Sequence, residues 1–164
     1  MNFEPKKSLH EIFTEVGKVT AVSKKAEVLK KYESNGLKAI LRGAYDKRVE
    51  WIIPDTPPPF NPSDSPDWDL ADIKLEKEAM SLGRFALFDG RPTNQGRDLT
   101  TLRREQLFIQ LLEGLHPTES DILLSLVKKR LEYKGLTAKL VNQAFPDLIP
   151  AEYMVVKKYN VLRS

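Results

Sequence analysis

The sequence lacks cysteine, and it has no unbroken apolar run longer than four residues. Without thiols the chain can form no disulfide bond, cysteine nucleophile, cysteine-ligated zinc site or iron–sulfur cluster. A membrane-spanning helix needs about 18 consecutive apolar residues, so that class is excluded too. Residues 1–7 are polar and lack the apolar stretch of roughly 7–15 residues that a secretory signal requires. We therefore expect a soluble protein that stays where it is made and has no membrane partner.

Candidate catalytic and metal-binding residues are also few. The two histidines, His10 and His116, are far apart in sequence, and His116 precedes a proline, where a helix cap or turn role is commoner than catalysis. The glycines form no phosphate-binding loop, and no paired-histidine metal spacing occurs. A hard cation could bind carboxylates, but Pro66 and a missing turn glycine break the calcium-loop pattern among the candidates Asp64, Asp67, Asp69 and Asp72. The sequence thus predicts a protein that is not an enzyme, with no cofactor and no metal.

Net charge is small, at +3 for 26 basic and 23 acidic residues, but its distribution is uneven. Residues 1–53 and 99–164 are mildly basic, whereas residues 54–98 are acidic. Such a pattern is typical of solvated helix faces around an acidic loop. It fits a nucleic-acid surface only if the basic residues cluster in the fold.

Length and periodicity predict one mainly α domain over residues 1–164, with six or seven helices, a Pro-rich connector and a possible short strand. The first helix has a capping box, Ser8 with Glu11, and an apolar stripe that ends at Gly17. A second helix is expected over residues 23–33 with its lysines mostly outward, stopped by the Asn-Gly pair at 35–36. A third follows from residue 37, and the run around Trp51 could form the strand.

Residues 54–69 hold six of the 11 prolines, so no helix can cross this acidic connector. Its Phe60 and Trp68 are apolar enough to hold it against the core. Helical spacing resumes over residues 70–88, and a polar loop is expected over residues 89–97.

The C-terminal part has the strongest helical signal. Residues 99–115 are apolar over a wide arc, which predicts the central buried helix. Helices over residues 122–131 and 137–145 follow, separated by a turn at residues 132–135. The tail over residues 151–164 is apolar enough to add a strand or to pack on a neighbour.

Several runs resemble a family of small uncharacterised proteins of large contractile-tailed bacteriophages (myoviruses). The resemblance is carried by residues 102–117, 134–137 and 144–148, and by residues 40–45 and 57–60. It implies a phage origin and a location in the host cytoplasm. It transfers no activity and no functional residue.

The segment over residues 118–145 matches a helix-turn-helix outline, with a four-residue turn that contains glycine. Lysine and arginine bind phosphate, and asparagine or glutamine can read adenine edges. The predicted nucleic-acid-binding residues are Lys128, Lys129, Arg130, Lys134, Lys139, Asn142 and Gln143.

Two hypotheses about function stay open. One is a non-enzymatic accessory protein that binds nucleic acid through this basic helix-turn-helix-like face. The other is a protein-interaction module that docks on host machinery, on a phage assembly or on itself, through the tryptophan- and proline-rich segment and the apolar tail. The helix pair could also be an ordinary part of an α-helical core.

Overall fold

The fold consists mainly of α-helices, as the sequence predicts. The computed structural model describes residues 7–53, residue 60 and residues 74–155, and everything below concerns these residues. The helices are α1 (Leu9–Lys18), α2 (Val22–Lys31), α3 (Asn35–Tyr45), α4 (Lys74–Glu78), α5 (Thr101–Gly114), α6 (Pro117–Val127) and α7 (Ala138–Ala144). The strands are β1 (Val49–Trp51), β2 (Ala86–Phe88) and β3 (Arg91–Pro92).

The first helix begins as its sequence predicts. The Ser8 hydroxyl accepts a hydrogen bond from the Glu11 amide, and the Glu11 carboxylate accepts one from the Ser8 amide at 2.9 Å. These two bonds form the expected capping box and satisfy two amides that a helix start otherwise leaves free. The predicted stripe is buried: Leu9, Ile12, Phe13 and Val16.

The centre of the core is α3. Seven of its 11 residues are buried, and it packs against α4, α6 and β1. The expectation that the Asn-Gly pair stops α2 is wrong, because α2 ends at Lys31 and the pair forms the first two residues of α3. Ser34 caps α3 by accepting from the Leu37 amide. Gly36 is required there, since a Cβ would lie 2.2 Å from the Glu76 carbonyl oxygen.

The expectation that residues 99–115 form the central helix is wrong. In α5 only Phe108, Leu111 and Leu112 are buried, whereas Leu102 is 67% exposed. The helix exists where it was predicted, but it covers one side of the core and turns part of its apolar surface to solvent.

A small antiparallel sheet, in the order β1–β2–β3, lies beside α3. Residues 86–88, which were expected to be helical, pair with β1 in the register Val49 opposite Phe88. A 3₁₀ helix, Ala79–Phe85, precedes β2. Asp89 and Gly90 have positive φ values of 53° and 80° and form the two-residue turn to β3.

The proline-rich connector falls largely outside the described residues, and Trp68 is among those not described. Phe60 is described and packs against the core, as expected. The tail forms a short 3₁₀ helix, Ala151–Tyr153, and an antiparallel bridge between Asp46 and Met154. The predicted extension beyond residue 155 lies outside the described residues.

Candidate nucleic-acid interface

The last helix, α7, has one apolar and one polar face. Thr137 caps it by accepting a hydrogen bond from the Leu140 amide at 3.1 Å. The buried side chains are Leu140, Val141 and Ala144, and the exposed ones include Lys139, Asn142 and Gln143. The helix therefore presents a cation and two amides to solvent, as the sequence predicts.

The connection that leads into α7 carries most of the other predicted residues. Lys128, Arg130 and Lys134 are exposed. They lie in residues 128–137, which join α6 to α7 without regular helix. Six of the seven predicted residues are thus accessible on α7 and on the connection before it.

Lys129 is the exception. Its ammonium donates hydrogen bonds to the carbonyl oxygens of Gly43 (2.7 Å), Asp46 (2.7 Å) and Val49 (3.0 Å). All three donors of the group are engaged at the C-terminus of α3 and the start of β1. Lys129 therefore supports the fold, and its ammonium is not available to bind phosphate.

The backbone of Lys129 explains why α6 is shorter than predicted. The Lys129 amide donates to the Leu126 carbonyl (2.8 Å) and the Arg130 amide to the Ser125 carbonyl (3.1 Å), which is the Schellman pattern at a helix end. Lys129 has φ of 61°, the left-handed conformation that glycine usually adopts at this position. Without a glycine to mark the end, the sequence indicated a helix to residue 131.

Electrostatics around Lys129 are set by burial and by Asp46. Burial lowers the pKa of Lys129 to about 8, and the charge of Asp46 opposes this. Burial also disfavours the charged form of Asp46, but two hydrogen bonds from the Arg48 guanidinium, at 3.1 and 2.9 Å, and one from the Arg48 amide hold its pKa below the usual value. The Arg48 guanidinium lies over the Phe88 and Tyr153 rings, so this cluster joins β2, the tail and the end of α3.

The helix pair does not have helix-turn-helix geometry. That motif joins its helices by a turn of about three or four residues, whereas residues 128–137 separate α6 from α7. Moreover, α7 packs mainly on α2. The connection therefore spans residues 128–137 rather than the predicted 132–135. A turn does lie within the predicted residues, at Lys134 and Gly135, where the Leu136 amide donates to the Tyr133 carbonyl oxygen at 3.1 Å. The exposed polar face of α7 is also present.

A contact that the sequence did not indicate lies at the end of α1. The Lys25 ammonium donates to the carbonyl oxygens of Val16 (2.9 Å) and Val19. This lysine of α2 was expected to point outward, but it contacts α1 instead. A Cβ on Gly135 would lie 2.7 Å from the same ammonium, and a Cβ on Gly17 would lie 3.1 Å from the Lys134 carbonyl oxygen. The ends of α1 and α2 thus meet the connection at Lys134 and Gly135.

Both histidines have structural contacts. The His116 side chain accepts a hydrogen bond from the Thr118 amide and caps α6, which confirms the local role expected for it. His10 Nδ1 lies 2.8 Å from the Tyr133 hydroxyl, between α1 and the connection before α7.

The described part of the chain contains no group of three or more histidine or acidic residues placed to hold a metal ion. The four aspartates considered for a cation lie outside it. Among the described helices, none is both long and apolar enough to cross a membrane.

A shallow groove also lies on α5. It is lined by Leu102, Glu105, Gln106, Ile109 and Gln110. Its apolar part is the exposed Leu102 and the half-buried Ile109.

Comparison with known proteins gives one match. The model of DUF6433, a family of unknown function, matches residues 12–133, from within α1 to the Tyr133 that contacts His10. The match includes Lys128, Lys129 and Arg130 but ends before α7. No curated protein and no solved structure matches the chain.

Proposed function

This chain belongs to DUF6433, a family of unknown function, and on that premise we propose that it is a non-enzymatic protein that associates with nucleic acid. The binding face consists of Lys128, Arg130, Lys134, Lys139, Asn142 and Gln143. The observation that carries the proposal is the exposed polar side of α7, beside a connection with three exposed cations.

Each part of this face has a chemical role. The lysines and the arginine neutralise phosphates, which supplies affinity without sequence information. The Asn142 and Gln143 amides can each donate and accept a hydrogen bond, as base edges require. Because the two helices do not form a helix-turn-helix, we expect α7 to contact the nucleic acid without that motif's docking geometry.

The biological setting is part of the proposal. Similarity to small proteins of contractile-tailed phages supports an accessory role in a phage-infected cell, in the host cytoplasm. The non-enzymatic assignment is supported by the histidines, which contact a helix start and the Tyr133 hydroxyl.

The test is binding of the full chain to a short DNA duplex and to its single strands, by fluorescence anisotropy at several salt concentrations. Wild type should bind, with affinity that falls steeply as salt rises. The variant K128Q/R130Q should reduce the slope of log K against log salt by about 1.8, since each duplex phosphate contact contributes about 0.9. Lys129 is left in place because it supports the fold.

A matched control removes the same charges elsewhere. K77Q/R91Q alters exposed residues of α4 and β3 and should leave the slope close to that of wild type. Absence of wild-type binding at low salt, or equal effects of the two double variants, would contradict the proposal. N142A/Q143A should reduce any preference for sequence and leave the salt slope unchanged.

The alternative function, a protein-interaction module, is favoured by one observation. Leu102 is 67% exposed on α5, beside the half-buried Ile109. If the wild-type chain fails to bind nucleic acid at low salt, this face becomes the leading candidate for contact with host machinery, a phage assembly or a second copy. Size-exclusion chromatography of wild type and L102Q then tests self-association.

A further inference from the structure

Three exposed lysines flank the junction where α1, α2 and the connection before α7 come together. The meeting point is built by Gly17, Lys25 and Gly135, whose close contacts are described above. The chain neighbours of these three residues are Lys18, Lys24 and Lys134, and all three neighbours are exposed.

Lys25 adds a further charge to this junction, and that charge is satisfied within the fold. Its ammonium lies at the C-terminus of α1, where the Val16 and Val19 carbonyls carry the negative end of the helix dipole. Its side chain also lies against Gly135, where any Cβ would collide. The charge of Lys25 is thus balanced by carbonyl oxygens, and its neighbours form the outer surface.

We propose that Lys18, Lys24 and Lys134, the junction cluster, bind phosphates of a nucleic-acid backbone. This inference rests on the proposed function and extends its face from Lys134 onto α1 and α2. Since α2 packs on both α1 and α7, the junction cluster and Lys139 of α7 lie on neighbouring elements.

Charge balance in this region supports phosphate as the ligand. Over α1, α2 and α7 together there are six lysines and three glutamates. Two of the glutamates, Glu11 and Glu15, lie on α1, and the third lies on α2. The glutamate of α2, Glu27, lies 3.6 Å from the Lys24 ammonium, with side chains 66% and 67% exposed. A pair this exposed is weak, so a phosphate can displace Glu27 from Lys24.

The experiment compares K18Q/K24Q with K74Q/K77Q in the full chain, using the same DNA duplex and salt series. Both variants remove two exposed lysines, and the control residues lie on α4. We expect K18Q/K24Q to lower the salt slope by about 1.8 and to weaken binding at low salt by about tenfold or more. K74Q/K77Q should change neither quantity appreciably.

The outcomes separate the two proposals. If K18Q/K24Q binds like K74Q/K77Q while K128Q/R130Q loses slope, the junction cluster is overturned and the proposed function stands. If wild type does not bind at low salt, both fall. If the two variants have equal melting temperatures, a difference in binding reflects lost phosphate contacts and not a loss of folding.

Discussion

Lys129, whose backbone is in the left-handed conformation, ends α6, and its side chain binds carbonyl oxygens at the end of α3. At Lys129 the backbone adopts a conformation that costs a non-glycine residue about 1–2 kcal/mol, and its side chain satisfies three carbonyl oxygens. A glycine would relax the backbone but leave those carbonyls without their donor. Three hydrogen bonds at about 1 kcal/mol each would outweigh that backbone cost.

Substitutions at Lys129 separate these two effects. Lys129→Met should destabilise the protein by about 2–3 kcal/mol, because it removes the donor from three carbonyls and keeps the strained backbone. Lys129→Gly should cost about 1 kcal/mol less than Lys129→Met, since it relieves that strain. Urea denaturation measures both.

Lys128→Met is the neighbouring control and should change stability by no more than about 0.5 kcal/mol, because Lys128 is exposed. A loss for Lys129→Met no greater than for Lys128→Met would show that the three hydrogen bonds do not stabilise the fold.

Lys129 also predicts how stability depends on pH. Its pKa is about 8 in the folded chain, against the usual 10.5, so between these values the unfolded state holds more protons. The free energy of unfolding should therefore rise as pH increases from 8 toward 10. Urea titrations at successive pH values should show this rise in wild type and a smaller one in Lys129→Met.

Two tyrosines, the buried Tyr45 and the half-buried Tyr133, set the opposite trend at higher pH. Burial raises the pKa of Tyr45 and of Tyr133 to about 12, from 10. The folded state then keeps protons that the unfolded state releases, so stability should fall as pH rises above 10. Tyr133→Phe should lessen this fall. A fall that begins near pH 8 in wild type would contradict both assignments.

At the scale of elements, α3 depends on a close approach to α4. Gly36→Ala places a Cβ 2.2 Å from the Glu76 carbonyl oxygen, a contact that only movement of the backbone can relieve. We expect a loss of about 1–3 kcal/mol, as for other overpacked sites.

Gly114→Ala in α5 is the matched control for that substitution. Its nearest obstacle is the flexible end of Lys74, at 3.0 Å, so alanine should be neutral or stabilise the helix by up to about 1 kcal/mol. Equal melting temperatures for Gly36→Ala and Gly114→Ala would contradict the described packing of α3 against α4.

The position of α5 gives another test. Leu112→Ala should cost about 2–5 kcal/mol because Leu112 is fully buried, whereas Leu102→Ala should cost less than about 0.5 kcal/mol. A large loss at Leu102 would restore α5 as the central helix that its sequence indicated.

Local signals in the sequence predicted the elements better than their positions. The capping box at Ser8 and the stripe of α7 depend on neighbours in the chain, so both were predictable. The wide apolar arc of α5 indicates burial but cannot tell which side the core covers. The turn at Asp89 and Gly90 is a common hairpin signal, yet helical spacing before it concealed β2.

The same limit applies to the candidate site: local patterns predicted some of its residues, and long-range contacts decided the others. Exposed Lys139, Asn142 and Gln143 follow from the period of one helix. The roles of Lys25 and Lys129 depend on carbonyls of other elements, and no local pattern marks them. Lysines that satisfy helix ends and lysines that face solvent look alike in sequence.

At the scale of the whole molecule, long-range contacts converge on the end of α3. The Lys129 ammonium bonds Gly43, 86 residues earlier, the Val155 amide donates to the Tyr45 carbonyl at 2.7 Å, and Met154 pairs with Asp46. Residues 43–46, at the end of α3, are therefore joined to residues 129, 154 and 155, far along the chain.

This arrangement has a consequence for synthesis on the ribosome. Since chains emerge N-terminus first, α3 leaves the ribosome long before residue 129 and the tail that complete its end. Its buried stripe stays accessible to other chains until translation is nearly finished. We expect nascent chains stalled before residue 129 to be digested by protease readily and to aggregate on release, whereas full-length chains resist both.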